Sequence, residues 1–253
     1  VDLYHHDEKE GRPFNEELGK MTDAQWRELV RAMHAIGQDI VVITMMFQNF
    51  THVGRHTMEQ DGYAGKAYYP SALFPGRMPI ACSDPLEAIL DEADDLGMHV
   101  FPGIGCYAFF DFTPASLEWH KAVAREVWER YGRHVSFYGW YVSDEIAGNL
   151  GTDDRRRAEL VEFFKGFTPF VNQLAPGKPV MLATNCHFIG EANGFYEHLL
   201  PNLDILCPFG FARMPEGDIS GETAAAQLQQ WCDAAGCHLW MDLESFVFRN
   251  GIE

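Results

Sequence analysis

One short event recurs along this chain: an amphipathic stretch ends at a glycine, and a buried-looking apolar run begins within two or three residues. Met33-His-Ala-Ile-Gly-Gln-Asp-Ile-Val-Val-Ile43 and Asp94-Asp-Leu-Gly-Met-His-Val-Phe101 both show it, with the spacing of an αβ loop. Short apolar runs alternating with amphipathic stretches are the pattern of parallel βα units. Strand candidates are Val1 to Tyr4, Asp39 to Met45, Met98 to Gly103, Phe137 to Ser143, Pro179 to Thr184, Leu203 to Cys207 and His238 to Leu243, seven in all. Helical patterns lie between them at Thr22 to Ile36, Asp84 to Leu96, Pro114 to Tyr131, Asp153 to Leu174, Ala192 to Leu200 and Gly221 to Ala235.

Punctuation supports the helices without any assumption about the fold. Thr22 precedes Asp23 and Trp26, Ser83-Asp84-Pro85 supplies a cap with proline in the first turn, and Gly37, Gly97, Gly132 and Gly236 stand where chains leave helices. The chain's 253 residues match the roughly 250 of a (β/α)8 TIM-type barrel built as a single domain. The expectation is therefore an α/β chain with one barrel domain over residues 1–253, lacking a legible eighth βα unit, as expected of a chain truncated or incompletely represented at its C-terminus, with an open or otherwise completed barrel as the alternative. The connection from Met46 to Ser83 exceeds an ordinary βα loop and reads as a site-covering insertion over residues 46–83.

Composition narrows the partners. A formal charge of −18 repels phosphate backbones, and no Lys/Arg-rich segment offsets it, so nucleic acid is not expected. Arg155-Arg-Arg157 follows Asp153-Asp154 at a helix start and reads as a charged outer face. No apolar run approaches the roughly 18 residues of a membrane span. The six cysteines lack a zinc-clip spacing and read as small apolar side chains or free thiols. A chain opening at Val1 without a signal-peptide pattern fits a mature secreted or periplasmic form slightly better than a cytoplasmic one. Oligomeric state leaves no trace in the sequence.

In a parallel barrel the active site is built at the C-terminal strand ends. Those positions hold His5, His6, Asp7 and Glu8 after the first strand, Gln48 and Asn49 after the second, and Tyr107 and Asp111 after the third. Asp144 and Glu145 end the fourth, Asn185 and His187 follow the fifth, Phe209 and Arg213 the sixth, and Glu244 with Phe246 the seventh. Side chains alternate along a strand, so Gly139, Tyr141, Ser143 and Glu145 share the small, polar face suited to a barrel interior. The bulkier Tyr138, Trp140, Val142 and Asp144 share the other, suited to the helical layer. On the seventh run His238, Trp240, Asp242 and Glu244 share a face opposite Leu239, Met241 and Leu243, which places Trp240 as the floor of a sugar subsite. Two carboxylates at one rim beside aromatic rings are what glycosidic bond cleavage needs: one acid to assist the leaving group, one carboxylate at the developing oxocarbenium carbon. The bland reading is that a strand-end glutamate caps a helix or pairs with an arginine.

Phe137-Tyr-Gly-Trp-Tyr-Val-Ser-Asp-Glu-Ile146 and Leu239-Trp-Met-Asp-Leu-Glu-Ser-Phe246 resemble a group of glycoside-hydrolase-like barrels long catalogued as a domain of unknown function. More broadly, their placement is similar to the retaining (β/α)8 glycoside hydrolases that carry the acid/base on strand four and the nucleophile on strand seven. The resemblance, which includes Met33 to Thr44, spans most of the chain. It implies Glu145 as acid/base and Glu244 as nucleophile in a double displacement on an oligo- or polysaccharide. The large clan usually places Asn before its acid/base; here the residue is Asp144, and the aromatic residue of an eighth strand has no counterpart.

Expected substrate contacts are His5, His6, Asp7, Gln48, Tyr107, Tyr141, Asp144, Asn185, His187, Trp240 and Phe246. His5-His-Asp-Glu8, with His187 as a distant partner, also has the makings of a divalent metal site, though adjacent histidines on a strand rarely bind one ion; neither metal nor cofactor is expected. Asn185 and His187 read as sugar contacts or loop anchors. Phe47, Tyr107, Phe109 and Phe110 could stack on pyranose faces or pack beneath a lid. The competing functions are a non-catalytic carbohydrate-binding barrel and a metal-dependent isomerase or hydrolase using His5 to Glu8.

Overall fold

The computed structural model describes residues 16–44, 46–49, 65–74, 76–105 and 112–244, with the side chains of Glu16, Gln48, Asn49 and Glu145 outside that description. It is a mixed α/β protein with parallel sheets. Two compact units divide the chain: Val1–Asp144 with Lys165–Val180, and Glu145–Phe164 with Met181–Glu253.

Among the described residues the first unit begins with α1 (Glu16–Lys20) and α2 (Asp23–Ala35). Thr22 starts α2 as the capping residue of a box: the Gln25 amide donates to its hydroxyl at 3.4 Å, and its own amide donates to the Gln25 side chain at 2.9 Å. Strand β1 (Ile40–Val42) follows the left-handed Gly37 and pairs in parallel with a later strand, His99–Phe101. Between them, where the sequence shows only an insertion, lies a small sheet: β2 (Phe47–Asn49) antiparallel to β3 (Gly65–Ala67), itself parallel to β4 (Gly76–Arg77). The Glu126 carboxylate holds its return by accepting from Tyr69 Oη at 2.7 Å, Ser71 Oγ at 2.6 Å, and the Ala72 and Leu73 amides. Phe47 is buried and stacks on Phe74 at 5.0 Å, and Phe74 meets Trp119 edge-on at 5.5 Å. Phe47 thus packs within the insertion, against Phe74.

Helix α3 (Pro85–Leu96) begins at Asp84, whose carboxylate accepts from the Glu87 amide at 3.1 Å, and ends at Gly97 in the left-handed region. Strand β5 (His99–Phe101) pairs with β1 and contacts the next strand segment at Val100↔Phe137 and Gly103↔Tyr141. Helix α4 (Pro114–Tyr131) coincides with its sequence pattern because Thr113 caps it and Pro114 opens it. Gly132 leaves this helix at φ −64°, so it is not there for a left-handed turn; a Cβ on it would come within 2.6 Å of the Trp128 ring. Close packing, not backbone conformation, requires that glycine.

Strand β6 (Trp140–Ile146) is followed by α5 (Asp154–Leu174) and the fully buried β7 (Val180–Thr184). Trp140 pairs through its amide with Pro179 O at 2.7 Å, and Asn185 with Ile146 O at 2.8 Å, so register advances in the same direction on both strands. In the second unit α6 (Phe195–Leu199) lies between two 3₁₀ turns, followed by β8 (Ile205–Leu206), α7 (Gly221–Ala235) and β9 (His238–Leu239). The sheet order is β6-β7-β8-β9, with β7–β8 and β8–β9 parallel. Neighbouring strands in this sheet therefore follow chain order. The seven expected strands are matched except Val1 to Tyr4, which lies outside the described residues. Among those residues no helix is long and apolar enough to cross a membrane.

Asp94 ties α3 to the approach to β6. Its carboxylate accepts from the Ser136 amide and from His134 Nδ1, both at 2.7 Å. Burial pushes Asp94 up, but the Ser136 and His134 hydrogen bonds outweigh it and hold the carboxyl below the ordinary aspartate value. A depressed carboxyl contributes stability above its unfolded pKa of about 3.9 and loses it as pH falls through the lower folded value. Asp94→Asn is expected to cost on the order of 1 kcal/mol at pH 7. The difference from the parent should shrink below about pH 4 in urea unfolding at several pH values. An unchanged difference at pH 3 would contradict this.

Candidate functional site

The second unit gathers a polar cluster at the C-terminal ends of β7, β8 and β9. Pairing between β8 and β9 continues past their regular portions: His238, Trp240 and Asp242 donate through their amides to Asp204, Leu206 and Pro208 oxygens at 2.8, 2.9 and 3.0 Å. This register carries Glu244 to the rim beside the turn that follows β8. There Arg213 grips it: Nε lies 2.9 Å from both carboxylate oxygens and Nη2 2.7 Å from Oε1. The Glu244 side chain is 12% exposed and that of Arg213 36%. The arginine partner that a strand-end glutamate invites on bland grounds is thus present, and it leaves the carboxylate at the rim with a defined orientation. Met241 and Leu243, on the opposite parity, are exposed.

Asp242 neighbours Glu244 on the shared face. It is exposed by area, yet surrounding protein atoms and the Glu244 charge push its carboxyl up. Asn185 is a loop anchor: its side-chain oxygen accepts from the Gly148 amide at 2.8 Å and the His187 amide at 3.0 Å. His187 is half-buried, with Nε2 3.3 Å from Gly210 O. Phe188 adopts φ +52°, and its amide donates to Asp218 Oδ2 at 2.6 Å. Trp240 is half-buried on the Glu244 strand.

Glu145 belongs to β6, whose neighbour is β7. Its side chain lies outside the description, and with it the Glu145–Glu244 carboxyl separation. In the first unit Asp144 and Tyr141 are buried, and the Ser143 hydroxyl accepts from the Gly105 amide at 3.1 Å. His5, His6, Asp7, Glu8, Tyr107, Phe109, Phe110, Asp111 and Phe246 lie outside the described residues, as does the Gln48 side chain. Arg213, Gly210 and Asp218 take part in the cluster without having been given a role from sequence. Arg213 was visible as a strand-end residue; its partner was not, because that depends on β8 and β9 being adjacent.

Cys82, Cys186, Cys207, Cys232 and Cys237 are free thiols. Burial pushes Cys186, beside this cluster, up to about 11, so it stays protonated and makes a poor nucleophile at neutral pH. Among the described residues, Glu87, Asp91 and His134 bring three metal-type ligand atoms within 4.8 Å of one another. Each already has a partner: Arg27 meets Asp91 at 2.6 Å, Arg133 pairs with Glu87, and His134 Nδ1 lies 2.7 Å from an Asp94 oxygen. That group is a polar cluster joining α3 to the turn after α4. The His5 to Glu8 alternative lies outside the described residues.

A family model described as a domain of unknown function (DUF4434) matches residues 8–252. The chain belongs to the DUF4434 family. Comparison with the curated proteins gives no match. Among solved structures, the DUF4434 chain is similar to a candidate α-L-fucosidase from Bacteroides thetaiotaomicron VPI-5482, with TM-score 0.63 and 18% identity over 87% of this chain and 67% of that one. It is similar to β-galactosidase from the psychrophilic Marinomonas ef1, with TM-score 0.55 and 11% identity over 87% of this chain and 47% of that one. The C-terminal domain of a candidate chitinase from Desulfitobacterium hafniense DCB-2 gives TM-score 0.54 and 15% identity over 86% of this chain and 62% of that one. The DUF4434 chain thus spans about two thirds of the first of these and less of the other two. At such identities the likeness is one of fold, and the DUF4434 fold is glycoside-hydrolase-like.

Proposed function

We propose that the DUF4434 chain is a retaining glycoside hydrolase of (β/α)8 type, one domain over residues 1–253, acting on an oligo- or polysaccharide. The observation that carries this reading is that Glu145 and Glu244 both stand near the C-terminal ends of strands in one sheet; the Arg213 pair, which a structural glutamate would also make, is compatible with it and gives the Glu244 carboxylate a fixed orientation. Two strands, β7 and β8, lie between β6 and the Glu244 strand. With strands about 4.8 Å apart, a flat sheet would keep the two backbones roughly 14 Å apart. A barrel curls inward, and inward-facing side chains then converge toward the roughly 5–5.5 Å of a retaining pair.

In the first step Glu145 donates its proton to the glycosidic oxygen while a Glu244 oxygen bonds to the anomeric carbon and the leaving alcohol departs. In the second, Glu145 as carboxylate takes a proton from water, the water oxygen bonds to the anomeric carbon, and Glu244 leaves as carboxylate. His187 and Trp240 are the sugar contacts proposed on the Glu244 side, one as hydrogen-bond partner and one as stacking surface.

The test is the anomeric configuration of the first-formed product, followed by proton NMR during hydrolysis of aryl α-L-fucosides, β-D-galactosides and N-acetyl-β-D-glucosaminides. The expected product keeps the configuration of the substrate. Inversion would overturn the double displacement, and sugar binding without turnover would indicate a carbohydrate-binding barrel.

A further inference from the structure

Resting on the assignment of Glu244, we propose that Arg213 is a positioning residue, a preorganised clamp that orients the Glu244 carboxylate for attack and receives its charge again when the glycosyl group leaves. Two guanidinium nitrogens make three contacts of 2.7–2.9 Å with the two oxygens of this one group. Such a fork fixes the plane of the carboxylate as well as its position, which a lysine, as a point charge, does not do. A carboxylate offers about four lone-pair sites. The fork occupies those that face it and leaves those directed away from it for the anomeric carbon.

The clamp is itself held. The Arg213 guanidinium lies over the Phe209 ring, 5.6 Å from its centroid, and the Arg213 amide donates to Gly210 O at 3.1 Å. That same carbonyl lies 3.3 Å from His187 Nε2. Gly210 has φ +88°, and a Cβ there would sit 2.9 Å from His187 Nε2 and 3.6 Å from Arg213 Cζ. The residue has neither the conformation nor the space for a side chain. The turn after β8 therefore aims the guanidinium through backbone geometry, an aromatic face and the His187 ring together.

The charge balance explains the second half of the role. When Glu244 bonds to the anomeric carbon its negative charge is lost in the ester, and when the ester breaks the charge returns opposite Arg213. Loss of the fork therefore slows both the oriented attack and the departure of the carboxylate, while substrate affinity is little changed. Misplacement of a reacting group by about 1 Å can cost on the order of 100-fold in rate.

The experiment compares Arg213→Ala, Arg213→Lys and Glu244→Ala on the best-turned-over aryl glycoside of the panel above, with and without added guanidinium chloride or sodium azide, and records thermal unfolding of each. For Arg213→Ala the expected result is a kcat roughly 100-fold lower with KM within a few-fold, partly restored by guanidinium. Arg213→Lys should remain nearly as impaired, and Glu244→Ala should yield glycosyl azide of inverted configuration. Normal kcat in either arginine variant overturns the clamp, as does a folded Arg213→Ala that guanidinium fails to rescue while azide rescues Glu244→Ala. Should Arg213→Ala not fold, a folded Arg213→Lys with kcat above half that of the parent overturns it equally. Absence of glycosyl azide overturns the nucleophile assignment, and the clamp falls with it.

Discussion

Glu145→Gln is expected to lower turnover of an unactivated glycoside by roughly 10²–10⁴-fold, the range for loss of a general acid, and Glu244→Gln by at least as much. The two losses should differ in kind. Without Glu145 the departing alcohol must leave unprotonated, so the deficit shrinks as the leaving group becomes more acidic and largely disappears in the first step for a dinitrophenyl glycoside. Without Glu244 the bond to the anomeric carbon cannot form, and no leaving group compensates. Gln preserves the shape of each side chain. At Glu244 it leaves one acceptor for the Arg213 fork but removes the opposing charge, and since Arg213 is 36% exposed, water can take over part of that pairing. Both variants should therefore remain folded, as thermal unfolding would show. Equal deficits for Glu145→Gln on dinitrophenyl and alkyl glycosides would remove it from the acid role.

The same pair illustrates what was legible in the chain. Period-two alternation along the run ending at Glu145, and along the run ending at Glu244, nominates both residues before any contact is known, because parity is a local property of a strand. Helices α4 and α7 match their sequence patterns to the residue, Pro114 to Tyr131 and Gly221 to Ala235, and the structure adds the Thr113 and Ser220 caps that start them. The sheet formed by β2, β3 and β4 was not, because strands of two or three residues are too short to display an alternation. The Glu126 cradle for residues 69–73 escaped for a different reason: its donors lie 53 to 57 positions away along the chain. Arg213 and Glu244 are 31 positions apart and meet only through the β8–β9 register. Local patterns mark which residues stand at the rim; tertiary register decides which of them touch.

Trp140→Ala should be among the most destabilising single substitutions, by about 3–5 kcal/mol. Parity assigns Trp140 to the helix-facing side of β6, and its side chain is there: fully buried, 5.0 Å from the Phe137 ring and 6.2 Å from that of Trp128 on α4. Phe137 and Trp128 also meet edge-on at 5.4 Å, so the three rings form one interlocked group. Truncation removes the apolar area of the largest side chain and leaves a cavity that two rings fixed on separate elements cannot close. Tyr138→Ala is the matched control. Tyr138 has the same parity but lies two residues before β6 begins, 36% exposed, with its ring 4.5 Å from His99 and 5.3 Å from Phe101; its loss should cost roughly 1 kcal/mol. Urea unfolding of the two variants measures the contrast. Because β6 also carries Glu145, loosening the Trp140 anchor should reduce turnover in molecules that are still folded, whereas Tyr138→Ala should not. Equal destabilisation by the two substitutions would mean that the β6–α4 contact is not where the strand is held.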